Sequence, residues 1–326
     1  MSRLVPLTAL DGRDPLGFLA ALGVARLLGC TDDRVRLSFD PNLGTAQLHG
    51  IDGLDEVLVR LVTLIELLPT DGLMKGLPPV MVPPSIGDEF SDPARMPLRH
   101  FGELVAKASN SAERSWVRSL WTDLGHTDKG MCAVTPFYAP TGRQTLRTAF
   151  EKSAQLVFAA PERVLREALE SWRRVDDFTG ENLDFRAVRR AAEQPDGKAI
   201  MSGVPGATWL ALSAIPFFPM GGDGVTAKTL RWQRLRFGAK AGAKLAFSWP
   251  VWSSDVDVEG VGALLAHPAV DRAAAFAAAG SADSRDRLRV RDQLHALSIE
   301  RVFVARRRQL PGGKSAGVLV PVASWG

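Results

Sequence analysis

Cysteine is nearly absent: Cys30 and Cys132 are the only two in 326 residues. A disulfide framework is thereby excluded, and a chain this long can bury enough apolar surface to do without one. The five histidines, His49, His100, His126, His267 and His295, include no pair at metal-ligand spacing, and neither cysteine has a neighbour that would complete a zinc site. Long hydrophobic runs are missing too. The most apolar stretch, Phe18–Leu28, contains Arg26 and is too short to span a bilayer. Met1–Asp14 lacks the apolar segment of a secretory leader. The expected setting is the cytoplasm, with reduced thiols and no membrane contact.

Catalytic signatures are equally scarce. There is no Gly-x-Ser-x-Gly elbow. Pro311-Gly312-Gly313-Lys314-Ser315 ends like a phosphate loop, but Arg308 stands where that loop needs glycine, and a strand-like segment follows. Gly222-Asp223-Gly224 with Ala227 has dinucleotide-loop spacing, yet no helical segment follows it. Pro195-Asp196-Gly197-Lys198 carries a nuclease-motif fragment without the second carboxylate. Asp123, His126 and Asp128 form the one compact titratable cluster that includes a histidine. Such a group can hold a divalent metal for nuclease chemistry, or it can simply be a solvated helix end. No cofactor or metal is expected, and the chain reads as non-catalytic.

Apolar residues make up 46% and charged residues 23% of the chain, which places it among globular proteins. The length allows one large domain or two small ones. Formal charge is +4, but it is unevenly spread. Gly224–Ser254 holds six basic residues and Arg301–Gly326 holds five, with no acid in either segment; the remainder is net acidic at −7. A solvated surface usually mixes signs, so these two segments point to an anionic partner.

The pattern predicts an α+β fold in three parts. Residues 1–100 read as an α/β part that holds a ferredoxin-like β-α-β-β-α unit without an evident closing strand and the Pro-rich loop Pro69–Arg99. The first helix starts at Asp14-Pro15, a capping residue followed by a first-turn proline, and runs through Leu28. Residues 101–200 read as a helical middle: Phe101–Leu124, Arg143–Phe158 and Pro161–Trp172. Residues 201–326 mix strands and helices, with strands at Leu230–Phe237, Lys244–Trp252, Ile299–Val304 and Val318–Val322. The three parts are compatible with one continuous domain.

Within the last part, Lys228, Arg231, Arg234, Arg236, Lys240 and Lys244 alternate with Trp232, Phe237, Phe247, Trp249 and Trp252. On strands, that period sends cations to one face and apolar groups to the other. Arg306, Arg307, Arg308 and Lys314 form a second patch at a strand end and its hairpin. These ten cations are the candidate phosphate contacts, through counterion release on nucleic acid. The aromatics fall on the apolar phase and are expected in the core, though exposed ones would stack on unpaired bases.

Four segments carry a family resemblance. Asp11-Gly12-Arg13-Asp14-Pro15-Leu16-Gly17-Phe18-Leu19-Ala20-Ala21-Leu22-Gly23 resembles the opening of CRISPR-associated proteins of subtype I-G (formerly I-U). Ile215-Pro216-Phe217-Phe218-Pro219, Phe247-Ser248-Trp249-Pro250-Val251-Trp252 and Gly313-Lys314-Ser315-Ala316-Gly317-Val318-Leu319 follow in the family's order. The resemblance covers both ends of the chain and is weak in the middle. It implies a reduced large subunit of a type I interference complex, or a relative of the extension of its helicase-nuclease, active in antiviral defence. Its partners would be guide RNA or target DNA, other effector subunits and the helicase-nuclease. Two rival readings remain at this point: a scaffold module docking other subunits through its basic patches and Leu77–Ile86, and the metal-dependent nuclease of Asp123, His126 and Asp128.

Overall fold

The computed structural model describes residues 4–68, 94, 96–126, 130–140, 144–187, 201–238, 242–280, 284–309 and 317–326. The chain opens as expected, with β1 (Leu4–Asp11), α1 (Pro15–Gly29), β2 (Arg36–Phe39), β3 (Thr45–His49) and α2 (Leu54–Glu66). The three strands form an antiparallel sheet in the order β1-β3-β2. No closing strand joins it among the described residues. Asp14 starts α1 by accepting a hydrogen bond from the Leu16 N–H at 2.9 Å. Apart from Arg26 the helix is apolar on every side, and it is buried from Pro15 to Leu28.

The middle of the chain contains α3 (Leu98–Lys107), α4 (Ser111–Leu120), β4 (Trp121–His126), β5 (Cys132–Val134), α5 (Leu146–Ala159), α6 (Pro161–Glu170) and β6 (Val175–Asp176). The helix expected through Leu124 stops at Leu120. At Trp121 the backbone turns extended, with φ −139° and ψ 161°, and β4 pairs with β5. Trp121 and Thr122 suit a half-buried pleated surface better than a helix, and both are buried.

The last part holds β7 (Ser202–Gly203), α7 (Pro205–Ser213), β8 (Met220–Gly222), β9 (Ala227–Thr229), β10 (Trp232–Leu235), β11 (Lys244–Trp252), α8 (Val258–Ala266), α9 (Pro268–Ala279), α10 (Ser284–Ala296), β12 (Ile299–Arg308) and β13 (Val318–Trp325). β8 to β13 make one antiparallel sheet in the order β13-β12-β11-β10-β9-β8. β10 is shorter than the alternation suggested. Arg231 takes a left-handed backbone, φ 67°, and the ladder begins only after it. The fold is α+β, as predicted.

A contiguous apolar core runs through all three ranges, from Val5 to Leu319. One face of β11 stacks Phe247 on Trp249 at 5.1 Å and Trp249 on Phe303 at 5.8 Å, and Phe18 of α1 reaches Trp249 at 5.9 Å. The Trp249 Nε1–H donates to Gly12 O at 2.8 Å and the Trp252 Nε1–H to Leu37 O at 2.9 Å. These bonds tie the six-stranded sheet to the N-terminal unit. α1 also crosses α7 at close range, where a Cβ on Gly23 would lie 1.8 Å from Leu210 O. The opposite sheet face is covered by α9, which packs on β10 to β13. The described parts of the resembling segments are therefore mostly core, which explains their composition by packing rather than by chemistry.

Candidate nucleic-acid interface

Strand direction gathers most of the candidate cations. β10 ends at Leu235 and β11 begins at Lys244, opposite each other in the ladder; Arg306 pairs with Ala246, and Arg308 pairs with Val318 at the start of β13. Arg234, Arg236, Lys244, Arg306 and Arg308 thus meet at one end of the sheet, where β10 and β12 end and β11 and β13 begin. The register places Lys244, Arg306 and Arg308 on one face and Arg234 on the other. Arg234, Arg236, Lys244 and Arg308 are exposed. Arg234 also donates to Ala243 O at 3.2 Å, across the mouth of its hairpin. Arg306 is half-buried, with its guanidinium 4.6 Å above the Phe237 ring. That cation–π contact fixes its position at a gain of roughly 0.5–1 kcal/mol.

The other candidates divide. Lys228 is exposed on β9 and stands 3.8 Å from the Asp223 carboxylate, so its charge is partly answered. Lys240 and Lys314 lie outside the described residues, as does the glycine hairpin 311–315. Arg231 is buried and Arg307 is half-buried with its guanidinium turned inward. The side chain of Arg231 is 1% exposed and pairs with Asp271 of α9 at 2.7 Å. Its left-handed backbone turns it inward, and burial lowers its affinity for the proton against the pull of Asp271. The Arg307 guanidinium is enclosed and donates to four backbone carbonyls: Asn182 at 3.2 Å, Gly317 at 3.0 Å, Pro136 at 3.0 Å and Phe137 at 2.9 Å. Burial pulls its pKa down to about 9. The guanidinium of Arg231 is taken up by Asp271 and that of Arg307 by backbone carbonyls, so neither projects with the exposed cations.

The aromatic residues follow the core expectation: Trp232, Phe247, Trp249 and Trp252 are buried. Phe237 is half-buried beneath Arg306. The candidate surface is therefore cationic rather than an aromatic stacking platform. A helix at Leu288–Leu297 is legible in the sequence, but its charge was not singled out: α10 presents Arg287, Arg289 and Arg291 to solvent. Asp286 and Asp292 are interspersed there, so no acid-free segment marked it. The sequence reading also missed two buried carboxyls. Asp14 is pushed up to about 6, first by burial and then by the neighbouring Asp184 charge. Glu181 is pushed up to about 8 by burial.

Of the titratable cluster, Asp123 is exposed on β4 and His126 ends that strand, while Asp128 lies outside the described residues. Among the described residues no three of histidine, cysteine, aspartate and glutamate come together to hold a metal ion. No described helix is long and apolar enough to cross a membrane. No family model matches the chain, and no curated protein matches it.

Proposed function

We propose that this chain is a non-catalytic nucleic-acid-binding subunit of a type I CRISPR interference complex, gripping guide RNA or target DNA with the basic end of its six-stranded sheet. The observation that carries the binding reading is the convergence of Arg234, Arg236, Lys244, Arg306 and Arg308 on that end, from two segments that contain no acid. A phosphate backbone meeting these cations releases its condensed counterions, which favours binding irrespective of base sequence. The four resembling segments supply the biological setting and its partners: other effector subunits and the helicase-nuclease.

The first test is the state of the purified protein. Bound RNA or DNA, seen as high ultraviolet absorbance at 260 nm, is the expected result; nucleic-acid-free protein that captures only other effector subunits favours the scaffold reading. In a filter-binding assay, Arg306→Glu with Arg308→Glu should weaken every sequence alike. Unchanged affinity removes the sheet end from the site. Cleavage of DNA or RNA in magnesium or manganese, lost in Asp128→Ala, would favour the nuclease reading instead.

A further inference from the structure

Arg306 is an exception among the arginines. Every other described arginine that is buried or half-buried gives its guanidinium to a carboxylate or a backbone carbonyl. Arg26 donates to Ser213 O and Arg307 to its four carbonyls, while Arg60, Arg147, Arg166, Arg174 and Arg231 pair with acids. Arg306 is half-buried and has neither kind of partner among the described residues. What holds it is the Phe237 ring, whose centroid lies 4.6 Å from the guanidinium carbon. Phe237 in turn packs against the core.

This arrangement costs stability as it stands. Lys244 and Arg308 share the sheet face of Arg306, and like charges crowded on one face destabilise a sheet. A guanidinium taken partly out of water also loses hydration that no protein acceptor restores. Both costs fall when an anion sits at the sheet end, and phosphates suit the exposed Lys244 and Arg308. Arg306 offers more than charge. With one side on the ring it keeps its N–H edge and its other side, and a guanidinium plane stacks on a nucleobase as an aromatic ring does. A base inside a duplex is already stacked on its neighbours, whereas an unpaired one is free to take this position.

We propose that Arg306, backed by Phe237, is the seat for one unpaired base of a bound strand, while Lys244 and Arg308 hold the phosphates beside it. This rests on the sheet end being a nucleic-acid site, and adds which part of the nucleotide it touches. The seat tolerates any sequence, because every base has a π-face. It is made by a guanidinium, so the burial of Trp232, Phe247, Trp249 and Trp252 does not weaken it.

The test compares binding of the full chain to oligothymidine and to an abasic DNA strand of the same length, at one low salt concentration. The two carry the same phosphates and differ only in their bases. Oligothymidine should bind about tenfold more tightly. Oligouridine should show the same gain over abasic RNA, since the seat touches the base and not the sugar. Arg306→Lys keeps the charge but not the plane, and should bring the two affinities within about twofold of each other. Phe237→Leu removes the support and should also shrink the gain; its melting temperature shows whether it folds, and Arg306→Lys carries the test if it does not. Equal wild-type affinity for both strands, a gain confined to one sugar, or an undiminished gain in Arg306→Lys overturns the seat and leaves the phosphate contacts standing. No affinity for any of these strands overturns the nucleic-acid reading itself.

Discussion

Replacing Arg307 with methionine separates a structural arginine from a phosphate ligand. Methionine keeps the apolar stem but is shorter and donates nothing, so four backbone carbonyls lose the guanidinium at 2.9–3.2 Å. Hydrogen bonds from a charged donor contribute about 1.5–3 kcal/mol each, or ~6–12 kcal/mol in sum. Against this stands the cost of burying the charge, which lowers the pKa from 12.5 to about 9 and corresponds to ~5 kcal/mol. The net loss should centre near ~3 kcal/mol, since some carbonyls will recover a water. Urea unfolding followed by circular dichroism measures it as a fall in the midpoint at unchanged slope. A loss under about 1 kcal/mol, together with weaker nucleic-acid binding, would refute the reasoning and return Arg307 to the surface. Lysine at this position should also destabilise, because one ammonium cannot reach four carbonyls from two directions.

Gly23→Ala should destabilise by roughly 3 kcal/mol or prevent folding, because the new methyl meets Leu210 backbone at 1.8 Å and α1 and α7 would have to separate; a native-like melting temperature contradicts that packing. Stability should fall as pH rises. Asp14 and Glu181, at about 6 and about 8, keep a proton in the folded state that the unfolded chain releases near 3.8 and 4.5, so the folded state binds more protons across those windows. Urea midpoints should decline from pH 4.5 to 8, and Glu181→Gln should flatten the upper part of that decline; an unchanged decline in the variant counts against a proton on Glu181.

The course of the chain was largely legible where local chemistry and burial agree. The cap Asp14-Pro15 and an all-apolar run define α1 almost to the residue, and β11 begins and ends where its alternation does. β4 was not legible, because no glycine or proline marks the end of α4; Trp121 is extended through tertiary burial alone. Of the candidate interface, the strands that carry its cations were legible but not the direction in which each cation points. Arg307 carried a readable signal: with period two it shares a phase with Phe303 and Ala305, the core face, and opposes Arg306 and Arg308. Arg231 carried none, since a left-handed residue before a strand is set by the hairpin it closes. Glu181 was unreadable for the same reason, being placed by a turn whose partners are Gln144, 37 residues before Glu181, and Arg307, 125 residues after Asn182.

The salt dependence of nucleic-acid affinity tests the central claim most directly. Each phosphate contact contributes about 0.9 to the slope of log affinity against log salt on a duplex, and about 0.7 on a single strand. Five cations at the sheet end predict a slope near −4 on either form, so affinity should fall on the order of 100-fold or more between 50 and 200 mM salt. Arg234→Gln, Lys244→Gln and Arg308→Gln together should flatten that slope by about 2–3. A wild-type slope near zero, or one unchanged in the triple variant, would contradict the account.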